Sequence, residues 1–199
     1  MAVDFRNSET KDNLMRAFAG ESQARNRYTF GAGQAKREKQ EVISRVFLYT
    51  AEQEKEHAEI FYKHLKELAG ETIHVDGGYP VDLTENLAEL LRMAQHNEYE
   101  EHDDVYKKFG DKAKEEGFDD VARSFYNIEK FHGDRFGRFA EYLEQNRLYV
   151  SDVKCGWICL NCGYICESDQ APKRCPVCDH DQGYFIRLEL SPFADGTGK

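Results

Sequence analysis

The sequence predicts an all-α four-helix bundle followed by a small module of loops and strands, and three observations support this. Residues 9 to 145 are rich in Ala, Glu, Lys and Leu, a composition that favours helix, and Pro80 is the only proline among them. Apolar residues recur there with a helical period in four stretches. The period stops near Val150, and all six cysteines lie between Cys155 and Cys178. We therefore assign residues 1–148 to the bundle and residues 149–199 to the module, with a flexible tail.

Each of the four stretches has one inward face, because residues three and four apart lie on the same side of a helix. In the fourth stretch, the apolar face runs without a break into His132. Polar segments separate the stretches from one another. The predicted helices lie within Leu14–Ala35, Ile43–Leu68, Leu87–Phe109 and Val121–Leu143.

Turn signals define how the helices connect. Glu38–Gln40 forms a short polar turn, and the segment Gly70–Asp82 is a longer connection. Thr84 is the predicted N-cap of the third helix, since a Thr side chain can accept a hydrogen bond from a free amide of the first turn. Gly117 is the predicted end of that helix, because glycine readily adopts the left-handed conformation found there. Two short loops and one long crossover are typical of a bundle of the ferritin-like type.

Charge and hydropathy exclude two classes of partner. The 199 residues carry a net charge of −10, whereas nucleic-acid binding needs clustered Lys and Arg. No apolar run approaches the ~20 residues that span a bilayer, so no membrane partner is expected. The segment Met1–Arg6 lacks the basic and then apolar order of a secretory leader, and we expect a cytoplasmic protein. Cysteines clustered at one end of a cytoplasmic chain are more often metal ligands than disulfides.

Acidic and imidazole side chains occupy inward positions where a core needs apolar groups. Burying one unpaired carboxylate costs several kcal/mol, so a group of them requires a cation. Glu54 with His57 and Glu129 with His132 form two Glu-x-x-His pairs, and residues at this spacing can reach the same metal. Diiron bundles combine two such pairs with one Glu from each of the other two helices. The candidate metal ligands are Glu21, Glu54, His57, Glu98, Glu101, Glu129 and His132.

The types of ligand indicate the metal. Carboxylates with a few imidazoles suit iron or manganese better than copper or structural zinc. One Glu-x-x-His in a Glu-rich helix is an ordinary coincidence, whereas two on inward faces are not. The third helix leaves open whether Gln95 or Glu101 pairs with Glu98. Tyr28 and Tyr106 lie near these faces and could either donate to a carboxylate or simply pack.

Two Cys-x-x-Cys turns, Cys159–Cys162 and Cys175–Cys178, are separated by twelve residues. Such turns present four thiolates tetrahedrally around one metal, and the pattern is a specific signal. Gly163 lets the first turn bend so that backbone amides can face sulfur. Tetrahedral thiolates fit iron or zinc, and the sequence does not separate the two. Cys155 and Cys166 stand outside the turns, and we expect plain small side chains there.

These residues resemble the rubrerythrin family over nearly the whole chain. The segment Ala19–Tyr28 is similar to the family's first-helix signature, and Gln53–Ala58 is similar to its second. The Cys-Gly-Tyr and Cys-Pro-x-Cys turns are similar to its rubredoxin module. The resemblance implies a ferritin-like bundle with two irons, joined to a rubredoxin-like four-cysteine module with one iron. The implied core aromatic residues of that module are Trp157, Tyr164 and Phe185.

The resemblance also implies a role for each candidate ligand. Glu54 and Glu129 would bridge the two irons. One iron would bind Glu101 when oxidised and His57 when reduced. The implied terminal ligands are Glu21, Glu98 and His132.

Two details of the resemblance concern the third and fourth helices. Glu98 and Glu101 keep the family's spacing to Tyr106, so we prefer this pair to Gln95 with Glu98. The segment Gly117–Glu129 is shorter than in the family by nearly one helical turn. The ligand assignment survives this difference, because the apolar face still leads to the Glu-x-x-His pair of the fourth helix.

The activity that the resemblance implies is that of a peroxidase. Hydrogen peroxide would be reduced to water at the two irons, with electrons relayed through the four-cysteine iron. NADH acting through a separate reductase or a rubredoxin is the implied donor, since this chain has no dinucleotide-binding fingerprint. We expect a homodimer that protects an anaerobe or microaerophile from oxidative stress. Two alternatives remain: a ferritin-like ferroxidase or iron-handling protein, which a built-in electron donor disfavours, and a zinc-ribbon interaction module on a helical scaffold.

Overall fold

The computed structural model describes residues 3–128 and 131–191, and its first two helices are joined by the predicted short turn. Helix α1 spans Glu9–Arg37, and α2 spans Glu41–His64. The Ser8 side chain caps α1 by accepting a hydrogen bond from the Lys11 amide at 3.1 Å. Lys39 takes a positive φ of 59° between the helices, which lets the chain reverse within a few residues.

A long connection leads from α2 to the third predicted helix. Residues 69–86 run without helix or strand, which confirms the predicted crossover. The predicted N-cap, Thr84, is wrong. Asn86 caps the helix, because its side chain accepts hydrogen bonds from the amides of Ala88 and Glu89. Thr84 instead accepts from the Asn86 amide and donates to the Glu89 carboxylate, so it positions the residue that forms the cap.

The third predicted helix is a continuous rod of three parts. Helix α3 spans Leu87–Glu100, a π-helical segment follows at Glu101–Tyr106, and α4 spans Lys107–Glu116. Gly117 ends the rod with a φ of 91°, as predicted. The sequence pattern did not indicate the π-helical segment, whose i→i+5 pairing changes which residues share a face.

The fourth predicted helix is broken, which corrects the expectation of one uninterrupted face. Helix α5 spans Asp119–Asn127 and α6 spans Phe131–Glu144, and Ile128 after α5 is extended with a ψ of 117°. The two helices pack in different apolar clusters, with Phe125 in one and Phe136 in the other. Each cluster fixes the position of its own helix. The two helices therefore do not continue as one straight helix, and the chain leaves helical geometry at Ile128.

Two apolar clusters fill the bundle and leave a polar layer between them. One cluster includes Phe47 and Phe136, and the other includes Leu14, Phe61 and Phe125. The layer between them holds carboxylates from α1, α2 and α3 that are only 1–8% exposed. No helix among the described residues is both long and apolar enough to cross a membrane.

The C-terminal module is built on a three-stranded antiparallel sheet in the order β2–β1–β3. Strand β1 spans Val150–Cys159, β2 spans Ile165–Gln170 and β3 spans Phe185–Arg187. The first cysteine turn begins at the last residue of β1, and the second lies in the connection between β2 and β3. The expected core aromatic residues, Trp157, Tyr164 and Phe185, pack together in the core of the module.

The module packs against the end of the bundle where α1 turns into α2. Gly183 lies so close to Lys39 that a Cβ there would stand 1.8 Å from the Lys39 carbonyl oxygen. The Arg45 guanidinium of α2 donates to the Leu160 carbonyl at 3.1 Å. The predicted domain boundary after residue 148 falls in the short connection between α6 and β1, and it stays a prediction.

Candidate metal centres

Glu54 stands at the centre of the polar layer with an imidazole on each side. Its Oε2 atom lies 3.1 Å from Nδ1 of His57, and its Oε1 atom lies 2.8 Å from Nδ1 of His132. Each imidazole also faces a second carboxylate. An oxygen of Glu21 is 3.6 Å from His57, and an oxygen of Glu98 is 3.4 Å from His132. The five side chains form two half-sites, each with one imidazole and one carboxylate, and the half-sites share Glu54.

Helical spacing explains why these groups meet. Glu54 and His57 are three residues apart on α2, which places both on one side of that helix. Glu21 projects from the interior of α1, and Glu98 projects from near the end of α3. His132, near the start of α6, is 5% exposed and lies inside the layer. Its predicted partner, Glu129, lies outside the described residues, so the role of Glu129 stays a prediction.

Two tyrosines fix the outer oxygen atoms of these carboxylates. The Tyr28 hydroxyl donates to Oε1 of Glu98. The Tyr106 hydroxyl is shared between Oε1 of Glu21, 2.5 Å away, and Oε1 of Glu101, 2.7 Å away. The sequence left open whether these tyrosines donate or only pack, and the structure shows that they donate. Hydrogen bonds of this kind orient carboxylates that ligate a metal.

The π-helical segment brings Glu101 and Tyr106 onto one inward face. In an α-helix, five residues turn the chain by roughly 500°, which would leave the two side chains about 140° apart. The i→i+5 pairing of a π-helix instead aligns residues five apart. Glu98 and Glu101 both line an internal cavity of about 10 Å³. The Gln95 amide lies against Gly137 of α6 instead, so the structure brings the preferred pair, rather than Gln95, to the layer.

The charges of the layer depend on one another. Burial, together with the charges of Glu54 and Glu101, raises the pKa of Glu21 well above its ordinary value. Burial also opposes ionisation of Glu54, but the two imidazoles outweigh it and lower the pKa of Glu54 to about 2. For the imidazoles, burial acts to lower the pKa, and the facing carboxylates raise it to about 10 for His57 and about 9 for His132. In the metal-free protein, the positive charge of the imidazoles thus balances the negative charge of the carboxylates. In the metal-bound protein, the metal ion would do so instead.

The donor atoms of the layer fit a metal ion. Among the described residues, Oε1 of Glu54 and Nδ1 of His132 are buried without a hydrogen-bond partner, although they lie 2.8 Å apart. Leaving such an atom unsatisfied costs about 1–3 kcal/mol. Donor atoms of Glu54, His57 and His132 all lie within 4.8 Å of one another. Carboxylate and imidazole donors at this spacing suit a metal of the iron or manganese type.

The four cysteines of the two predicted turns converge at one point. Their sulfur atoms lie within 4.8 Å of one another, with Cys159 3.7 Å from Cys178 and Cys162 3.6 Å from Cys175. Metal–sulfur bonds of about 2.3 Å in a tetrahedron would place sulfur atoms about 3.8 Å apart. Gly163 follows the first turn with a φ of 75°, the left-handed conformation for which glycine was predicted. The spacing of the thiols therefore fits one tetrahedral metal ion.

The two cysteines outside the turns face the core of the module. Cys155 and Cys166 are half-buried and pack in the same cluster as Trp157. The register of β1 and β2 sets Cys166 opposite Trp157 and Cys155 opposite Ser168. Neither sulfur belongs to the group of four, and both occupy the positions expected of small core side chains.

Comparison with known proteins places these features in a family. The rubrerythrin family profile matches residues 12–140, and the profile of the rubrerythrin rubredoxin-like domain matches residues 157–186. The chain belongs to the rubrerythrin family. Rubrerythrin from Clostridium perfringens is 43% identical over 182 residues, which are 89% of this chain and 93% of that protein. Rubrerythrin from Porphyromonas gingivalis is 42% identical over 194 residues, 96% of each chain.

Solved structures agree with the family assignment. The fully reduced, all-ferrous state of nigerythrin matches with a TM-score of 0.60 at 26% identity, over 91% of this chain and 90% of that chain. The predicted fold class, a ferritin-like bundle with a C-terminal rubredoxin-like four-cysteine region, is confirmed. As a member of the rubrerythrin family, the chain has a diiron site and a four-cysteine rubredoxin-like site, as predicted. The individual iron ligands stay a prediction.

The sequence pattern did not indicate one charged neighbour of the layer, Arg135. Arg135 donates to the Thr50 hydroxyl at 2.9 Å and to the Gln53 side chain at 2.8 Å. Its positive charge acts on Glu54, next to Gln53 in the chain. The available signal was its position three residues after His132, on the same side of α6. Arg135 therefore adds a fixed cation beside the shared carboxylate.

Proposed function

We propose that this chain is a peroxidase that reduces hydrogen peroxide to water at its diiron site, with electrons relayed through an iron at the four cysteines. The observation that carries the proposal is the Glu54 carboxylate, which turns one oxygen towards each half-site. A carboxylate in this position can hold two metal ions side by side. A thiolate site in the same chain supports the relay, because its tethering keeps the donor at high effective concentration.

We assign the iron ligands as the family resemblance implies. Glu101 and His57 would be alternative ligands of one iron, in the oxidised and reduced protein respectively. They stand on different elements, the π-helical segment and α2, and both line the internal cavity. In this assignment Glu54 and Glu129 would bridge the two irons, and the terminal ligands would be Glu21, Glu98 and His132.

The residues of the chain prepare the site for peroxide reduction. When bound, a pair of reduced irons supplies two electrons and the positive charge that favours cleavage of the O–O bond. Tyr28 holds Glu98 in place, and the apolar clusters on either side of the layer keep bulk water away, which strengthens the electrostatic interactions inside. The Tyr106 hydroxyl, between Glu21 and Glu101, can hold a proton and pass it between the two carboxylates.

We propose that the electrons pass between two copies of the chain in a homodimer. Arg45, which holds the Leu160 carbonyl of the module, precedes Glu54 by nine residues, or roughly 14 Å along α2. Leu160 lies between Cys159 and Cys162, so the thiolate site stands well away from the polar layer of its own chain. The module of a second copy could approach the layer more closely. The proposed donor upstream is NADH, acting through a separate reductase or a rubredoxin.

We propose a cytoplasmic location and a role in the oxidative-stress response of an anaerobe or microaerophile. All six cysteines are free thiols in the structure. A reducing compartment keeps thiols in this state and leaves them available to a metal. Peroxide removal at such a site would protect other reduced metal centres of the cell.

The test compares hydrogen peroxide and dioxygen as oxidants of the reduced, iron-loaded protein. Stopped-flow absorbance should show that peroxide oxidises the diiron site faster than dioxygen does. Glu54→Ala should abolish this reaction, because it removes the carboxylate that both half-sites share. The same variant should keep the visible absorption of the thiolate-bound iron.

Glu56→Ala is the matched control, since Glu56 is exposed on the same helix and should affect neither signal. An equal or faster reaction with dioxygen would contradict the peroxidase assignment and favour an iron-oxidising role. Zinc at the four cysteines, found by metal analysis of the purified protein, would contradict the electron relay.

A further inference from the structure

A cavity of about 530 Å³ lies beside the metal-binding layer, between α1, the π-helical segment and the connection before α3. Gly20, Tyr79, Glu101 and Tyr106 form part of its wall. Glu101 and Tyr106 also line the small internal cavity among the candidate ligands. These two side chains, which the cavities share, therefore stand between the larger cavity and the layer.

Gly20 leaves space where Glu101 and Tyr79 approach α1. A Cβ on Gly20 would lie 3.2 Å from Oε1 of Glu101 and 3.7 Å from Cε1 of Tyr79. Glycine inside a helix is less stable than alanine, so its presence in the middle of α1 needs a structural reason. The reason here is room: a carboxylate and an aromatic ring approach the same spot on the helix.

Tyr79 is held over that spot by the connection that carries it. Its hydroxyl donates to the Arg16 carbonyl at 3.1 Å. A Cβ on Gly77 would lie 2.7 Å from the same hydroxyl oxygen, so the chain folds closely around the ring. The guanidinium of Arg16 binds Asp76 at 2.9 Å, which ties the connection to α1 just before Tyr79. The ring is thus a fixed part of the cavity mouth and is 42% exposed.

We propose that this cavity is the entrance through which hydroperoxides reach the diiron site, and that the Tyr79 ring limits the size of the alkyl group admitted. The proposal rests on the peroxidase function proposed above. In the reaction, the O–O bond of a hydroperoxide breaks as it takes up two electrons from the reduced irons and two protons, giving an alcohol and water. Hydrogen peroxide, with hydrogen in place of the alkyl group, gives two waters.

The lining residues and the volume of the cavity support this substrate class. Ala17, Val105 and Phe109 give it an apolar wall that suits an alkyl group. Its volume far exceeds the need of hydrogen peroxide, since a water molecule in the liquid takes only about 30 Å³. The mouth at Tyr79, rather than the interior, therefore sets which hydroperoxides pass.

A second cavity of about 510 Å³ offers a competing route from the side of α2 and α5. His57, Ile60 and Ser124 line it, so it reaches the layer at the imidazole rather than at Glu101. Ile60 is partly exposed in this cavity, as Tyr79 is in the first. Ile60→Ala is therefore the matched control for Tyr79→Ala.

The experiment uses the full-length, iron-loaded protein. Stopped-flow oxidation of the reduced protein gives second-order rate constants for hydrogen peroxide and for tert-butyl hydroperoxide. Tyr79→Ala should raise the ratio of the tert-butyl to the hydrogen peroxide constant by about tenfold, a discrimination typical of one or two methylene-sized contacts. Tyr79→Phe keeps the ring but loses its hydrogen bond to the Arg16 carbonyl, so it should raise the ratio least, and Tyr79→Leu should fall between the two. The rate of azide binding to the oxidised protein, followed by absorbance, should rise from Tyr79→Phe through Tyr79→Leu to Tyr79→Ala.

The outcomes separate the entrance from the function. Unchanged ratios and azide rates in both Tyr79→Ala and Tyr79→Leu, with normal iron content, would overturn the proposed entrance. So would a change in Ile60→Ala without one in Tyr79→Ala. If the wild-type protein reacts with no hydroperoxide while azide binding still responds to Tyr79, the entrance stands and the peroxidase function fails.

Discussion

Replacing Tyr106 by phenylalanine removes one hydroxyl that serves two buried carboxylates. The hydroxyl lies 2.5 Å from Glu21 and 2.7 Å from Glu101, and the residue is 2% exposed, so the ring can stay in place. A hydrogen bond contributes about 0.5–1.5 kcal/mol between neutral groups and about 1.5–3 kcal/mol to a charged group. The raised pKa of Glu21, caused first by burial, favours its neutral form in the metal-free protein. We therefore expect Tyr106→Phe to lower the stability of the metal-free protein by about 1–2 kcal/mol.

Iron binding should enlarge this loss, because carboxylates must be ionised to hold a metal. With the carboxylates charged, the missing phenol costs about 1–2 kcal/mol more than in the metal-free protein. Each 1.4 kcal/mol corresponds to about a factor of ten in affinity. Tyr106→Phe should thus weaken ferrous-ion binding at this half-site about tenfold, the lower end of the effect of losing a group that orients a metal ligand.

Two measurements check the Tyr106 prediction. Urea denaturation followed by circular dichroism gives the stability of the metal-free protein, and anaerobic competition with a chromophoric chelator gives the ferrous affinity. Tyr126→Phe is the matched control, because its hydroxyl donates to exposed Asp111 and the residue is 42% exposed. That control should change stability by less than about 0.5 kcal/mol and leave iron affinity unchanged. Equal iron affinity in the wild type and Tyr106→Phe would refute the idea that the phenol orients these carboxylates.

Two further predictions concern the ends of the bundle. Glu116→Gln should lower stability by about 1 kcal/mol, since the carboxylate accepts hydrogen bonds from the Thr10 hydroxyl and from the amides of Glu9 and Thr10 at the start of α1. Burial alone would raise the pKa of Glu116, but these bonds lower it, so the contribution should be full above the unfolded-state pKa of about 4.3 and fade at more acidic pH. Urea titrations of both proteins across this range would show the difference shrink, and a constant difference would contradict the assignment. Gly183→Ala should oppose docking of the module by about 1–3 kcal/mol, because its Cβ would meet the Lys39 carbonyl oxygen at 1.8 Å. Small-angle scattering should then show a larger radius of gyration with unchanged thiolate–iron absorption, and an unchanged radius would contradict the docking contact.

The parts of the site that follow from fixed geometry could be predicted from the sequence. On α1, Glu21 lies between Ala17 and Ala24, and all three are buried as the helical period requires. On α2, Glu54 is buried and His57 lines the layer for the same reason. The cysteine turns were equally predictable, because a Cys-x-x-Cys turn fixes the spacing of its sulfur atoms. In each case the local spacing determines the result without knowledge of the rest of the chain.

The irregular parts of the bundle could not be predicted, because they depend on contacts between distant segments. A period of 3.6 residues cannot describe Glu101–Tyr106, where the backbone pairs as a π-helix. The apolar face of the fourth stretch looks continuous, yet Phe125 and Phe136 belong to different clusters and the helix breaks at Ile128. The docking of the module likewise depends on Gly183, whose sequence context carries no signal for a contact with α1 and α2.

The π-helical segment and the break at Ile128 both lie beside candidate ligands of the metal-binding layer. The regular pair α1 and α2 supplies one carboxylate and one Glu-x-x-His pair. The other two rods depart from α geometry beside their own candidate ligands, at Glu101 in one and at Ile128, four residues before His132, in the other. Both departures cost stability, since π pairing is rare and a broken helix leaves backbone groups without helical partners. The two departures therefore serve the layer as well as the packing: the π-helical segment turns Glu101 and Tyr106 inward together, and the break lets His132 face Glu54 while α5 stays packed in its own cluster.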